Sequence, residues 1–339
     1  MPPSRAGSAS VALTGCGVVV IGRNEAGRLR ACLRSALASG LPLVYVDSRS
    51  TDRSVGIAHD LGVQVVELGV DDDLSAALAR NVGARALAVA HPHVELIQFV
   101  DGDCVLADGW LTSACEKMRE HPELAAVCGY RHEQRPRRNL FHRAVEQEWR
   151  MGGVGVVDDF AGDVLVRRSW FDLVGGYDTR AIAGEDTELS SRLRATGGRI
   201  ERLDTVATVH DIDMVAPAQW WARARRGGYG AAAVAMLHRS SDRLFADQVG
   251  RMMLWGLVAP LGALVAWPRT RVPLLALAVR WGASTWRAAR SVSNRAADPV
   301  DRLAWGLSCS CAALPGAVGV LHFAIDRARG RRPRLIEYR

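Results

Sequence analysis

Short apolar runs and helical repeats alternate along the first 210 positions. Val18-Val19-Val20-Ile21 is a β-branched run that predicts a strand, and Leu29, Leu33, Ala36 and Leu37 then recur at helical spacing up to Gly40. Positions 43–46 predict a second strand, and Asp52 is placed to cap a helix running to Leu61, with Gly62 as its stop. Positions 63–68 predict a third strand, 74–90 a third helix and 96–100 a fourth strand. Strand and helix in strict alternation imply an α/β fold, a mostly parallel sheet flanked by helices on both faces. Ligands of such sheets bind beyond the carboxyl ends of the strands.

The pattern changes after about residue 216. Positions 217–236 read as an Arg-rich helix with Trp220 beside Trp221, followed by apolar runs at 252–267, 272–279 and 303–325. The last run has 23 positions without a charged side chain. As a helix it is about 34 Å long against a hydrocarbon core of roughly 30 Å, enough to span a bilayer. The first run is short for a span, and Arg269 and Arg271 separate it from the second. A re-entrant hairpin, an interfacial helix and a buried core helix all stay open for these two. Flanking charges do not fix the topology, and Pro315 permits a bend within the last run. The expected divisions are a flexible N-terminus (1–14), an α/β domain (15–215), an amphipathic or interfacial helical region (216–248), apolar membrane-associated helices (249–326) and a basic tail (327–339).

At 339 residues the chain exceeds the ~100–200 of one domain. Its 49% hydrophobic and 23% charged residues supply a core and exclude disordered and low-complexity classes. The net charge of +7 suggests nucleic acid only until it is located: positions 327–339 hold six Arg and one Glu. A basic tail directly after an apolar run points to anionic membrane lipid and away from nucleic acid. Lys117 is the only lysine, so the GK pair of a P-loop is missing, and no G-x-G-x-x-G follows the first strand, which argues against a dehydrogenase. Seven cysteines at irregular spacing form neither a metal cluster nor a disulfide framework, which fits a reduced, cytosolic compartment. Cys309 and Cys311, within an apolar run, read as buried thiols. Leu13-Thr14-Gly15-Cys16 fits a lipoprotein cleavage pattern, but no apolar stretch precedes it, and it reads better as the entry to the first strand.

Carboxylates gather at strand ends. Asp47 follows the second strand, and Asp101-Gly102-Asp103 follows the fourth. Two carboxylates one glycine apart at the end of a buried strand need a positive partner. Mg²⁺ or Mn²⁺ would supply it and bridge the phosphates of a nucleotide. Gly184-Glu185-Asp186-Thr187-Glu188-Leu189 opens a helix, where acids also serve the dipole. His210 ends a strand-like segment as a third metal ligand, a diphosphate contact or a hydrogen-bonded core histidine. Trp220, Trp221, Arg223, Arg225 and Arg226 suit an interfacial anchor, an acceptor or diphosphate contact, or a solvated helix. Positions 131–138 read as a solvated basic loop or one steering an anionic acceptor, Asp71-Asp72-Asp73 as the charged start of the next helix, and Cys104 as packing.

With these residues in place, the chain from about 17 to 210 resembles a family 2 glycosyltransferase with the GT-A nucleotide-sugar-binding fold. Six segments carry the resemblance in order: Val18 to Ile21 with Arg23-Asn24-Glu25; Asp47-Ser48-Arg49-Ser50-Thr51-Asp52; Ala79-Arg80-Asn81-Val82-Gly83; Asp101-Gly102-Asp103; Val166-Arg167-Arg168-Ser169-Trp170-Phe171 with Gly175-Gly176-Tyr177-Asp178; and Gly184-Glu185-Asp186. The resemblance implies transfer of a sugar from a nucleoside diphosphate donor, UDP- or GDP-linked, to a hydroxyl acceptor with inversion. It further implies a metal and donor motif at Asp101 and Asp103, and Asp186 as general base with Glu185 orienting it or the acceptor. Arg23, Asn24, Glu25 and Asp47 would line the nucleotide pocket, and Arg80 would approach the diphosphate. Gln219-Trp220-Trp221-Ala222-Arg223 departs from the Q-x-x-R-W motif of processive members, because no Trp follows the Arg. The apolar third suggests a lipid-linked acceptor, such as a polyprenyl-linked saccharide in cell-envelope glycan synthesis, at the cytoplasmic face of the membrane. The alternatives are a soluble or protein acceptor, and a nucleotide-sugar-binding scaffold without turnover.

Overall fold

The computed structural model describes residues 13–331 except 71, 73 and 240. They form two units. The first takes the chain up to Gln134, then Gly152–Thr179 and Glu185–Asp211; the second takes Arg135–Met151, Arg180–Gly184 and the chain from Ile212 on.

The first unit is built on a nine-stranded sheet: β1 (Cys16–Gly22), β2 (Leu43–Asp47), β3 (Gln64–Glu67), β4 (Leu96–Asp101), β5 (Cys104–Leu106), β6 (Leu124–Glu133), β7 (Gly155–Val156), β8 (Val164–Arg167) and β9 (Arg199–His210). The order is β3-β2-β1-β4-β8-β6-β9-β5, with β7 also on β9. The half β3-β2-β1-β4 is parallel, as the strand–helix alternation predicts. Beyond β4 the pairings are antiparallel except β6 with β9, so the sheet as a whole is mixed.

Two apolar clusters cover the two faces, with Val18 and Val20 of β1 in one and Val19 and Ile21 in the other. Helix Ala26–Leu37 buries Leu29, Cys32, Leu33 and Ala36. Helix Ala76–Ala90 starts at Ser75, whose hydroxyl accepts from the Leu78 N–H at 3.0 Å, rather than at the acidic triplet. Asp72 accepts from Gly69 N–H, and Asp71 and Asp73 lie outside the described residues. Gly83 lets this helix press on the sheet, since a Cβ there would meet Val19 and Val46. Asp52 does more than cap one helix: Oδ1 accepts from Ser54 N–H at 2.9 Å and Oδ2 from Ala26 N–H at 3.0 Å. One carboxylate thus serves the starts of helices Ser54–Asp60 and Ala26–Leu37. Cys16 is a buried residue of β1, in line with its reading as the strand entry.

The second unit is helical: Leu140–Trp149, Pro217–Leu237, Ala246–Met253, a π-helical turn Leu254–Val258, Ala259–Ala266, Val272–Ser291, Pro299–Cys311 and Ala313–Ala328. Pro217–Leu237 crosses Ala313–Ala328 closely because side chains are missing at the crossing. A Cβ on Gly228 would strike the Gly316 backbone, and one on Gly319 the backbone of Arg225 and Tyr229. Ala246–Ala266 and Pro299–Ala328 are long and apolar enough to cross a membrane, and only 11% and 28% of their most apolar windows are buried. No residue of Val272–Ser291 is buried, so this helix is not a core helix of the described unit. Cys309 and Cys311 are exposed, contrary to the expectation of buried thiols, because they sit on the outer side of Pro299–Cys311. The tail beyond Arg331 lies outside the described residues.

Candidate active site

The site lies within the first unit, at the carboxyl ends of β1, β2 and β4. The loops after β1 and β2 are tied together there. Asn24, at φ +57°, accepts from Thr51 N–H through Oδ1 at 2.8 Å, and its own N–H donates to the Ser50 hydroxyl at 2.8 Å. Glu25 is buried, donates its N–H to Ser54 and pairs with Arg28 at 2.6 Å, while Arg23 is half-buried. Asp47 was expected to line the nucleotide pocket, but it is 0% exposed. Its Oδ1 accepts from the Tyr45 and Ser50 hydroxyls at 2.8 and 2.6 Å, and Oδ2 from Ser50 N–H at 2.7 Å. Asp47 shapes the loop from inside.

Arg80 joins the separate motifs. Its guanidinium meets Asp101 Oδ1 at 2.8 Å, Glu185 Oε1 at 3.0 Å and Asp186 Oδ1 at 3.4 Å. Burial works against the charge on Arg80, yet Asp186, Asp101 and Glu185 hold its pKa well above the ordinary value. The helix Ala76–Ala90 aims Arg80, and helix Glu185–Ala195 presents both acids from its first turn.

Asp101 has a second arginine. Arg131 of β6 reaches its Oδ2 at 3.2 Å and holds Asp163 Oδ2 at 2.9 Å. Asp163 accepts the Asp101 backbone N–H at 3.0 Å through Oδ1 and the Thr208 hydroxyl through Oδ2. Burial raises the Asp101 pKa, but Arg80 and Arg131 pull it below the ordinary value. The network leaves no room at Gly162, where φ is +74° and a Cβ would strike the Arg131 guanidinium. Both oxygens of Asp101 are therefore taken by guanidiniums, which differs from a carboxylate open to a metal.

Asp103 and His210 form the adjacent pair. Asp103 Oδ2 lies 3.2 Å from His210 Nε2, and Glu133 Oε2 lies 3.3 Å from His210 Nδ1. All three are buried. Burial disfavours a charged His210, yet Asp103 and Glu133 raise its pKa. Asp103, Cys104 and His210 present ligand atoms within 4.8 Å of one another. A buried carboxylate and an imidazole whose far nitrogen is held by a second carboxylate is a donor set that suits a divalent cation.

Asp186 is held by two further donors. Its Oδ2 accepts from Gly162 N–H at 2.9 Å and its Oδ1 from the Tyr177 hydroxyl at 3.3 Å. Burial, opposed by Arg80 and aided by Glu185, pushes its pKa up to about 7. A carboxylate near neutrality is a competent general base.

Glu133 and Asp163 carry no signal in the sequence, while Tyr177 stands in a segment of the family resemblance and Arg131 at the head of the basic run, neither with a place in the carboxylate cluster. Arg131 heads the basic run taken for a loop, but it is buried in β6. The remaining candidates lie in the second unit. Trp220 Nε1 donates to Ser308 at 3.1 Å, and Trp221 is exposed. Arg223 forms a two-point pair with Glu148 at 2.9 Å and lies over Trp149. Arg225 and Arg226 follow on the same helix, and Gln219 Oε1 accepts from Val215 and Ala216 N–H, capping its start.

Residues 17–174 match the family described as glycosyl transferase family 2. The pre-mycofactocin glycosyltransferase of Mycobacterium tuberculosis is 27% identical over 316 residues, 89% of this chain. The chain spans 63% of that relative's length. Among solved structures, a mannosyltransferase from Pyrobaculum calidifontis in complex with GDP-Man and Mn²⁺ superposes with a TM-score of 0.60 at 17% identity, over 91% of this chain and 87% of that one. S. aureus TarS 1–349 gives a TM-score of 0.52 at 16% identity, over 85% and 89%. At these identities the likeness concerns the fold.

Proposed function

We propose, from the match of residues 17–174 to the family described as glycosyl transferase family 2, an inverting transferase that moves a sugar from a UDP- or GDP-linked donor to a hydroxyl. The observation that carries this reading is Arg80, which brings Asp101 of the D-x-D and the Glu185–Asp186 pair to one guanidinium. Asp186 removes the acceptor proton, a contribution of about 10²–10⁴ in rate. Tyr177 and the Gly162 N–H fix the orientation of its carboxylate. Glu185, tied to Arg80, sets the position of that base. Asp103 and His210 would hold Mg²⁺ or Mn²⁺, with Glu133 fixing the imidazole through its far nitrogen. Such a cation, when bound, supplies a Lewis acid for the departing diphosphate. Asp101 keeps Arg80 and Arg131 in place beside it.

The acceptor is proposed to be lipid-linked and the enzyme to work at the cytoplasmic face of a membrane that contains anionic lipid. Two long apolar helices with little of their surface buried support this part of the reading. Purified chain incubated with a panel of nucleoside diphosphate sugars is expected to hydrolyse one of them slowly, with Mn²⁺ or Mg²⁺ required. No hydrolysis or binding across the panel would remove the proposal.

A further inference from the structure

Asn81 follows Arg80 on helix Ala76–Ala90 but serves a different partner. Its side-chain amide meets the backbone of Tyr177 at two points: Oδ1 accepts from the Tyr177 N–H at 2.9 Å, and Nδ2 donates to the Tyr177 carbonyl at 2.8 Å. A carboxamide can answer both groups because it carries an acceptor and a donor side by side. The approach is close, since a Cβ on Gly176 would stand 2.6 Å from Asn81 Oδ1. The Tyr177 ring is 2% exposed and packs edge-on against Phe99 and Phe171, at 5.6 and 5.8 Å between centroids. Arg80 Cζ lies over the same ring, 5.2 Å from its centroid, and the hydroxyl donates to Asp186 Oδ1 at 3.3 Å. Burial holds the Tyr177 hydroxyl well above its ordinary pKa, so it stays protonated as a donor.

We propose that Asn81 is a positioning residue for the transfer: by clamping the Tyr177 backbone it places the hydroxyl that orients Asp186. With its N–H and carbonyl both held and its ring wedged against Phe99 and Phe171, Tyr177 delivers its hydroxyl to one point. Asp186 Oδ2 is held separately by the Gly162 N–H, so a loosened Tyr177 frees Oδ1 and lets the carboxylate turn about the other oxygen. A displacement of about 1 Å at a reacting group can cost about 10²-fold in rate. The inference rests on the proposed role of Asp186 as base. Leucine at position 81 separates positioning from packing, because it fills the space and makes neither bond, leaving the Tyr177 N–H and carbonyl unanswered.

The test is a double-mutant cycle on the full chain with Mn²⁺, reading kcat and donor KM for hydrolysis of UDP-glucose or GDP-mannose, whichever the parent cleaves. Asn81→Ala and Asn81→Leu should each lower kcat about tenfold or more, while donor KM moves less than about threefold. Tyr177→Phe, which keeps the ring and loses the hydroxyl, should lower kcat about tenfold, and Asn81→Leu added to it should cost less than about threefold more. Parental kcat in Asn81→Leu would make Asn81 a space-filler, and equal factors in the two backgrounds would mean that it acts apart from Tyr177; either overturns the proposal. So does parental kcat in Tyr177→Phe, or a donor KM that rises as much as kcat falls. Hydrogen exchange is followed by mass spectrometry in parallel. The Tyr177 amide should exchange about tenfold faster in Asn81→Leu, while helices Ala26–Leu37 and Trp110–Glu120 keep the parental rate, which guards against a folding effect. If the parent hydrolyses neither donor, the transferase reading fails by itself and exchange decides the clamp: an unchanged rate at Tyr177 removes it.

Discussion

The two units use arginine in opposite ways. In the first, Arg80 and Arg131 are 2% and 8% exposed and are surrounded by Asp101, Asp163, Glu185 and Asp186. In the second, Arg271, Arg280 and Arg290 lie over the faces of Trp267, Trp255 and Trp286 on helices with few buried residues. A buried guanidinium is tolerable only when carboxylates answer it, and removing one partner leaves a charge stranded. A guanidinium on an aromatic face at the surface keeps its access to solvent or headgroups, and its loss costs little. Buried arginines fix a geometry; those on exposed aromatic faces carry no such constraint.

The largest expected effect is chemical. Asp186→Asn should lower turnover about 10²–10⁴-fold at saturating donor and acceptor while donor affinity is kept. Equal turnover would falsify the base. Next is the buried network: Asp163→Asn removes one of the two carboxylates that answer Arg131 and should cost about 3–5 kcal/mol in denaturant unfolding. Loss of less than about 1 kcal/mol would place Arg131 with the surface arginines instead. The pH profile follows in size. Because Asp186 must be ionised to take a proton and its pKa is pushed up to about 7, kcat/KM should fall as pH drops through that value. The same raised pKa favours the folded state at low pH, and that contribution is lost as pH climbs through about 7, so stability should not follow activity upward. A profile flat from pH 5 to 8 would contradict the assignment. The smallest effect is expected at Arg223→Ala, which breaks a part-exposed pair with Glu148 and should cost at most about 1 kcal/mol.

Much of this was legible in the sequence because it is local. The parallel half of the sheet follows from short β-branched runs and helical repeats, and the D-x-D and Glu185–Asp186 stand out as carboxylates at element ends. Their meeting was not legible as geometry, since Arg80 spans 21 residues to Asp101 and 105 to Glu185. The antiparallel half was missed for a related reason. Asp163, Arg131 and Thr208 come together only where β8, β6 and β9 are neighbours, and no local period encodes that order. Arg131 was also hidden by composition, as the first of a basic run whose later members are exposed or half-buried. Asp47 is the reverse case: a strand-end carboxylate reads as a ligand contact, and in the structure its hydrogen-bond partners are Tyr45 and Ser50.

The most direct measurement is calorimetric titration of the purified chain with the donor nucleotide, with and without Mn²⁺, for the parent and Asp103→Asn. The account predicts nucleotide binding that depends on Mn²⁺ in the parent and loses that dependence in the variant. Metal-independent binding by the parent, or an Mn²⁺ response that survives in Asp103→Asn, would contradict it.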